Sequence, residues 1–174
     1  MTNLELFKIF RPLIMKVSRV PEVILSDQNA PAPAGTYCAM QMGSSLRQYG
    51  QVIERREVTK DRTIKTKYYR QFEVDCTLNF YRKGSLNHAS RIVEFNRLMS
   101  IADELKRHKV GVNYIGAVQN LTQLFSANME ERANIRMTLW YSDAIEDEVN
   151  TIEQTHIVIE NEKERVIAEF DVHV

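Results

Sequence analysis

The residue types that most often perform catalysis are sparse and dispersed in this sequence. Its four histidines are His88, His108, His156 and His173. None of them has a cysteine or carboxylate at a recurring metal-ligand spacing. No phosphate-binding glycine loop, nucleophile elbow, HExxH or CxxC motif occurs. Because catalysis needs a nucleophile, a base and an orienting group that converge, the sequence predicts that the protein is not an enzyme. We predict no catalytic, cofactor-binding or metal-binding residue.

Two runs of adjacent acidic residues are the remaining candidates for general acid–base chemistry or cation binding. They are Glu130 and Glu131, and Glu146, Asp147 and Glu148. Adjacent charges in loops usually stay apart in water, whereas proton transfer requires side chains that are positioned together. Solvated loops are therefore the preferred interpretation of both runs.

Composition indicates a folded, soluble protein. The chain has 174 residues, of which 44% are hydrophobic and 26% charged, and its 23 basic residues balance 23 acidic residues. No apolar run approaches the roughly 18 residues of a membrane span, and the N-terminus lacks a secretory cleavage pattern. Cys38 and Cys76 stand in apolar, strand-like segments. This setting predicts buried free thiols in a reducing compartment rather than a disulfide or a metal site.

The first half of the chain is predicted to form one helix followed by strands. Apolar residues recur at helical spacing from Leu4 to Val17, and Pro12 is expected to kink or divide that helix. A Pro- and Gly-rich loop follows the apolar run of residues 23–25. Three extended segments are then expected, with a turn at residues 49–50 between the first two: Thr36–Arg47, Gln51–Val58 and Arg70–Arg82.

The clearest strand is Arg70–Arg82, because apolar and polar residues alternate along it. The positions predicted to face the core are Phe72, Val74, Cys76, Leu78 and Phe80. The positions predicted to face solvent or a partner are Glu73, Asp75, Thr77, Asn79 and Tyr81.

The second half is predicted to contain one long helix, from Ser85 to Lys109, followed by strands. The expected strands are Val112–Val118, Ala133–Trp140, and a terminal hairpin of Thr155–Glu160 and Arg165–Val174. This order predicts an α+β fold: a mixed, mostly antiparallel sheet with two main helices packed on one face, plus a C-terminal β-hairpin. We expect a single domain over residues 1–174, with residues 143–174 as an acidic hairpin extension.

Charge is distributed unevenly along the chain. Basic residues predominate between Arg47 and Arg70, and acidic residues predominate from Asp143 onward. This layout suits head-to-tail association, because the basic segment of one subunit can lie beside the acidic segment of the next. The alternative is that both segments are solvated surface. The candidate interface residues of the basic segment are Arg47, Arg55, Arg56, Lys60, Arg62, Lys65 and Lys67.

Nucleic-acid binding is an alternative role for the basic segment. Tyr49, Tyr68 and Tyr69 are interleaved with its basic residues, as in surfaces that stack on single strands. No RNP-like or helix-turn-helix pattern accompanies them. A strand hairpin with outward tyrosines is therefore the simpler interpretation.

Two separated segments resemble the paired signatures of the phage neck or tail-terminator family. The first, VILSDQNAPAPAGTYCAMQM, is an apolar strand followed by a Pro-rich loop and a Tyr-bearing strand. The second, EERANIRMTLWYSD, opens an alternating strand with Glu-Arg-Ala. The resemblance covers residues 4–143. Arg132, in the second segment, completes the candidate interface residues, since it could pair with a carboxylate of its own chain or with a neighbouring subunit.

The resemblance implies a structural virion protein without catalysis. It would form a ring, expected to be a hexamer, that caps the tail tube, stops its polymerisation and joins it to the head connector. The implied partners are copies of itself, the tail tube protein, the connector or head-completion protein and a sheath protein, with DNA passing through the lumen. The protein would be made in the bacterial cytoplasm and located in the virion neck. The alternatives are another connector, head-completion or tube subunit, and, more remotely, a nucleic-acid-binding module.

Overall fold

The amphipathic segment near the N-terminus forms one helix, α1 (Asn3–Ser18), in the computed structural model. A capping box begins it: the Glu5 backbone N–H donates to Thr2 Oγ1 over 3.2 Å, and the Thr2 backbone N–H donates to Glu5 Oε2 over 2.7 Å. Of the two expectations for Pro12, division of this helix is wrong, because α1 is continuous through Pro12, and a kink there stays a prediction. Phe10 and Ile14 are fully buried on either side of Pro12, and this packing holds both halves in place.

The structure describes six segments of the chain: 1–29, 31–58, 63–125, 128–150, 154–160 and 166–173. The chain divides into two compact units. The larger unit consists of Met1–Val52 and Arg70–Asp143, and the smaller unit of Ile53–Tyr69 and Ala144–Val174. The expectation of a single domain with an extension from residue 143 remains a prediction.

The strands form one main sheet and two small pairs. They are β1 (Val23–Leu25), β2 (Tyr37–Val58), β3 (Thr63–Tyr81), β4 (Val110–Ile115), β5 (Gln119–Asn120), β6 (Gln123–Phe125), β7 (Asn128–Glu130), β8 (Arg132–Asn150), β9 (Gln154–Glu160) and β10 (Val166–His173). The main sheet has the order β1-β2-β3-β8-β4, and β5 also pairs with β8. β1 is parallel to β2, whereas β4 and β5 are antiparallel to β8. The predicted α+β fold with a mixed, mostly antiparallel sheet is confirmed.

The predicted turn at Tyr49 and Gly50 is wrong, because β2 runs without interruption through both residues. Gly50 has a φ of 73°, in the left-handed region, and no atom beyond its two chain neighbours lies within 4 Å of the position that a Cβ would take. A glycine accepts this conformation without steric cost. The Tyr49-Gly50 pair, which looks like a turn in the sequence, therefore corresponds to a local irregularity of the backbone inside a strand.

The long helix predicted from Ser85 to Lys109 is divided. It consists of α2 (Ser85–Ile92), a 3₁₀ turn (Phe95–Arg97) and α3 (Met99–Arg107). Phe95 is fully buried and stacks on Phe10 of α1, with 6.3 Å between the ring centroids. The α-helix is interrupted by the 3₁₀ turn at the point where this ring packs into the core.

Among the described residues, the helices and one face of the main sheet enclose an apolar core. Its β3 members are Val74, Cys76, Leu78 and Phe80, which are at most 1% exposed. Its β8 members are Ala133, Ile135, Met137 and Leu139. The helices contribute Leu6, Phe10, Ile14, Ala89, Ile92 and Ile101. The alternation predicted for β3 is thus confirmed, and we call this side of the sheet the covered face and the other side the opposite face.

Cys38 and Cys76 are free and buried, as predicted from their apolar surroundings. Burial raises the pKa of both thiols well above the ordinary value. The thiols therefore behave as small apolar groups of the core.

The C-terminal segment forms an antiparallel pair of strands, β9 and β10, which confirms the predicted hairpin. Phe170 pairs with Ile157, and the register shifts between Val166 and Ala168. The predicted strand limits at Arg165 and Val174 lie outside the described residues.

Candidate functional site

Two lysines of the predicted interface form ion pairs within their own chain, in the smaller unit. Lys65 Nζ lies 3.4 Å from Glu148 Oε2, and Lys67 Nζ lies 3.1 Å from Glu146 Oε1. The hydrogen bond with Glu146 raises the pKa of Lys67. The acidic run of residues 146–148 belongs to β8, so its interpretation as a solvated loop is wrong. Cross-strand pairing with β3 explains why these charges are tolerated there.

Arg55 and Arg56 of the basic segment also have partners within the smaller unit. The Arg55 guanidinium carbon lies 5.3 Å from the centroid of the Tyr69 ring, and Arg56 Nε lies 2.5 Å from Glu54 Oε1. Tyr69 therefore already stacks with a cation of its own chain. Lys60 and Arg62 lie outside the described residues. A role for any of these side chains between subunits remains a prediction.

Arg132 belongs to a stack of four side chains in the larger unit. Its guanidinium carbon lies 4.9 Å from the centroid of Tyr81, whose ring stacks on Tyr37 at 4.8 Å and 11°. The Arg82 guanidinium carbon lies 5.7 Å from the centroid of the Tyr37 ring. Burial raises the pKa of Tyr37, which keeps its phenol neutral. Within the described residues, the Arg132 side chain thus contacts an aromatic ring. Its pairing with a carboxylate or with a neighbouring subunit remains a prediction.

The residue before Arg132 links β8 to the start of α2. Glu131 Oε2 accepts a hydrogen bond from the Gly84 backbone N–H over 2.7 Å, and its carbonyl accepts one from the Arg82 backbone N–H over 2.7 Å. Gly84 supplies no side-chain cap for α2, and the carboxylate of Glu131, the residue before β8, lies at this helix N-terminus. The Tyr37 and Glu131 segments singled out in the sequence therefore meet at a structural junction.

A nearly buried carboxylate, Glu73 of β3, lies on the opposite face of the sheet. Its oxygens accept hydrogen bonds from two sides: Arg47 Nε lies 2.7 Å from Oε2, and Asn113 Nδ2 lies 2.6 Å from Oε1. The side chain of Glu73 is 6% exposed, whereas that of Arg47 is 69% exposed. Arg47 is thus the predicted interface residue that the structure brings into this cluster. A buried charge with two charge-assisted or polar donors is satisfied in place.

A β-bulge in β4 positions Asn113 for this contact. Val112 pairs with Leu139 and Tyr114 with Thr138, so the register shifts at Asn113. Gly111 is paired with Trp140, and a Cβ added to it would overlap the indole ring. The absence of a side chain at Gly111 therefore makes room for Trp140 on this edge strand.

The next carboxylate along β3, Asp75, is held in the same manner. Ser45 Oγ donates to Asp75 Oδ2 over 2.5 Å, and Thr138 Oγ1 donates to Oδ1 over 3.3 Å. The donors come from β2 and β8, the strands on either side of β3. Glu73 and Asp75 thus each join three strands through directed hydrogen bonds. The sequence predicted only that both face away from the core.

A pocket of about 160 Å³ lies beside Glu73, and it is lined by Tyr49, Gln71, Glu73, Asn113 and Trp140. Its lining includes one carboxylate, two amides and two aromatic side chains, but no nucleophile paired with a base. Within the described segments, no three His, Cys, Asp or Glu side chains are grouped so that they could hold a metal ion. This lining offers hydrogen-bond acceptors, amide donors and aromatic surfaces to a bound group.

Comparison with known proteins identifies a family for this chain. Across the described segments, no helix has the length and apolarity needed to cross a membrane. A search of curated proteins finds no match. A family model described as phage neck terminator protein matches residues 4–163, which is most of the chain. The chain therefore belongs to the phage neck terminator protein family, a family of structural proteins of the virion.

Proposed function

We propose that this protein is a tail terminator, whose copies form a ring that caps the tail tube and joins it to the head connector. The family match over residues 4–163 carries this proposal. We further propose a hexameric ring, with DNA passing through its lumen and with tube, connector and sheath proteins as neighbours. In this role the protein performs no catalysis.

The two outer strands of the main sheet support an assembly that stops growing. On β1, the Val23 carbonyl accepts a hydrogen bond from Arg11 Nε over 3.0 Å. On β4, the Val112 carbonyl accepts one from Asn96 Nδ2 over 3.2 Å. A strand that adds to a sheet edge needs free carbonyl and N–H groups. Side chains that occupy these carbonyls disfavour open-ended strand addition, as a subunit that ends a tube requires.

Electron microscopy of the purified protein, alone and mixed with tail tubes, tests this function. We expect closed rings, or added density at one end of each tube. Incorporation along the length of the tube would instead identify a tube subunit. A protein that stays monomeric and leaves both tube ends bare would contradict the proposal.

A further inference from the structure

The pocket is lined by the carboxylate of Glu73, which is nearly buried and is paired with Arg47. The Glu73 side chain is 6% exposed, while its partner Arg47 is 69% exposed. Water and salt screen the charge of Arg47 far more than the charge of Glu73. A carboxylate has about four acceptor positions, and the hydrogen bonds from Arg47 and Asn113 use two of them. Glu73 can therefore accept further N–H donors from a group that enters the pocket.

The walls of the pocket restrict the shape of such a group. Tyr49 and Trp140 supply aromatic surfaces, and Gln71 and Asn113 supply amides. Among the described residues that line the pocket, Glu73 is the charged one, and its partner Arg47 does not belong to the lining. A planar cation combines favourable contact with aromatic rings and paired N–H donors for a carboxylate. The volume of about 160 Å³ is below the roughly 300 Å³ at which pockets begin to enclose drug-sized ligands. It is suited to one side chain.

We propose that this pocket binds the guanidinium group of an arginine from a partner protein in the assembled neck. The partner's donors would reach Glu73 while its planar group packs against Tyr49 and Trp140. The identity of the partner as a neck protein rests on the proposed function. The guanidinium chemistry of the pocket rests on the charge and the aromatic lining alone.

The fluorescence of Trp140 gives a direct test, because it is the one tryptophan of the chain. The full chain is titrated with Nα-acetylarginine amide at constant ionic strength. We expect a saturable change in emission. Nα-acetylcitrulline amide has the same shape without the charge, so its affinity should be lower by about tenfold or more, as loss of a charge-assisted contact implies.

Two variants locate the binding site. Tyr49→Ala removes a wall that is 56% exposed, so the fold should persist while the affinity for Nα-acetylarginine amide falls several-fold. Glu73→Gln keeps the shape of the side chain and removes its charge, and it should abolish saturation. Glu22→Gln is the matched control, since it removes one charge from an exposed residue of the same unit and should leave the affinity unchanged.

Equal responses to the arginine and citrulline compounds would overturn the proposal. So would an affinity that neither Tyr49→Ala nor Glu73→Gln alters; if Glu73→Gln fails to fold, Tyr49→Ala decides. Because the probe is a small molecule, the result does not depend on ring formation. Saturable arginine binding by a protein that never caps tubes would refute the terminator role and keep the pocket.

Discussion

The two faces of β3 in the larger unit come from one alternating stretch of sequence, yet different interactions hold them. On the covered face, Leu78 and Phe80 are fully buried among residues of the helices and of β8. On the opposite face, Glu73 and Asp75 are each held by two directed hydrogen bonds. Apolar burial tolerates small shifts of its neighbours, whereas a carboxylate needs its donors at defined positions. The covered face therefore stabilises the fold, and the opposite face defines a specific surface.

In the smaller unit, a carboxylate that pairs with a basic residue is exposed to solvent instead of buried. The side chain of Glu146 is 62% exposed and that of Glu73 is 6% exposed, although each accepts a bond from a basic residue. Removal of one partner from a buried charge pair costs more than removal from an exposed pair, because the remaining group is left desolvated. The burial of an acidic side chain, and not the presence of an ion pair, should therefore determine how strongly its removal destabilises the fold.

Phe80→Ala should have the largest effect, because it removes a fully buried ring from the covered face. Loss of the ring and the cavity that remains should lower the free energy of unfolding by about 3–5 kcal/mol. Urea denaturation followed by circular dichroism measures this change. A loss below about 1 kcal/mol would show that the covered face does not dominate stability.

The covered face could be predicted from sequence because it depends on alternation alone. Positions 74, 76, 78 and 80 of β3 are apolar, and a strand of period 2 places them on one side. The continuity of β2 could not be predicted, since Tyr49 and Gly50 have the composition of a turn. The division of the helix near Phe95 follows from tertiary packing, which outweighs local helical period.

The cluster around Glu73 could not be predicted from sequence for a different reason. Its members come from three strands, and Arg47 is 26 residues away in the chain while Asn113 is 40 residues away. Their contact depends on the strand register and on the bulge at Asn113, and neither follows from one sequence. The signal that was present is a glycine and an asparagine, Gly111 and Asn113, within one short strand.

Glu73→Ala should have an intermediate effect on the opposite face. The substitution leaves the Asn113 amide without its acceptor and removes the link from Arg47, which should lower the free energy of unfolding by about 1–3 kcal/mol. Glu22→Ala, at an exposed position, is the control and should stay within about 0.5 kcal/mol of the unmodified protein. Equal effects of the two substitutions would mean that burial does not distinguish these carboxylates.

The smallest effect is expected for the exposed pair of Lys67 and Glu146. A double-mutant cycle with Lys67→Met and Glu146→Gln should give a coupling several-fold weaker than a cycle for Arg47 and Glu73, and added salt should weaken it further.

The bond with Glu146 raises the pKa of Lys67 above its ordinary value of 10.5. The folded state therefore holds this proton more tightly, so the contribution is complete below the unfolded pKa and is lost as the pH rises through the folded pKa. Unfolding curves at pH 9 and at pH 11 should reveal this alkaline loss, and Lys67→Met should lack it. If the coupling of Lys67 to Glu146 equals that of Arg47 to Glu73, and resists salt, the distinction between exposed and buried carboxylates fails.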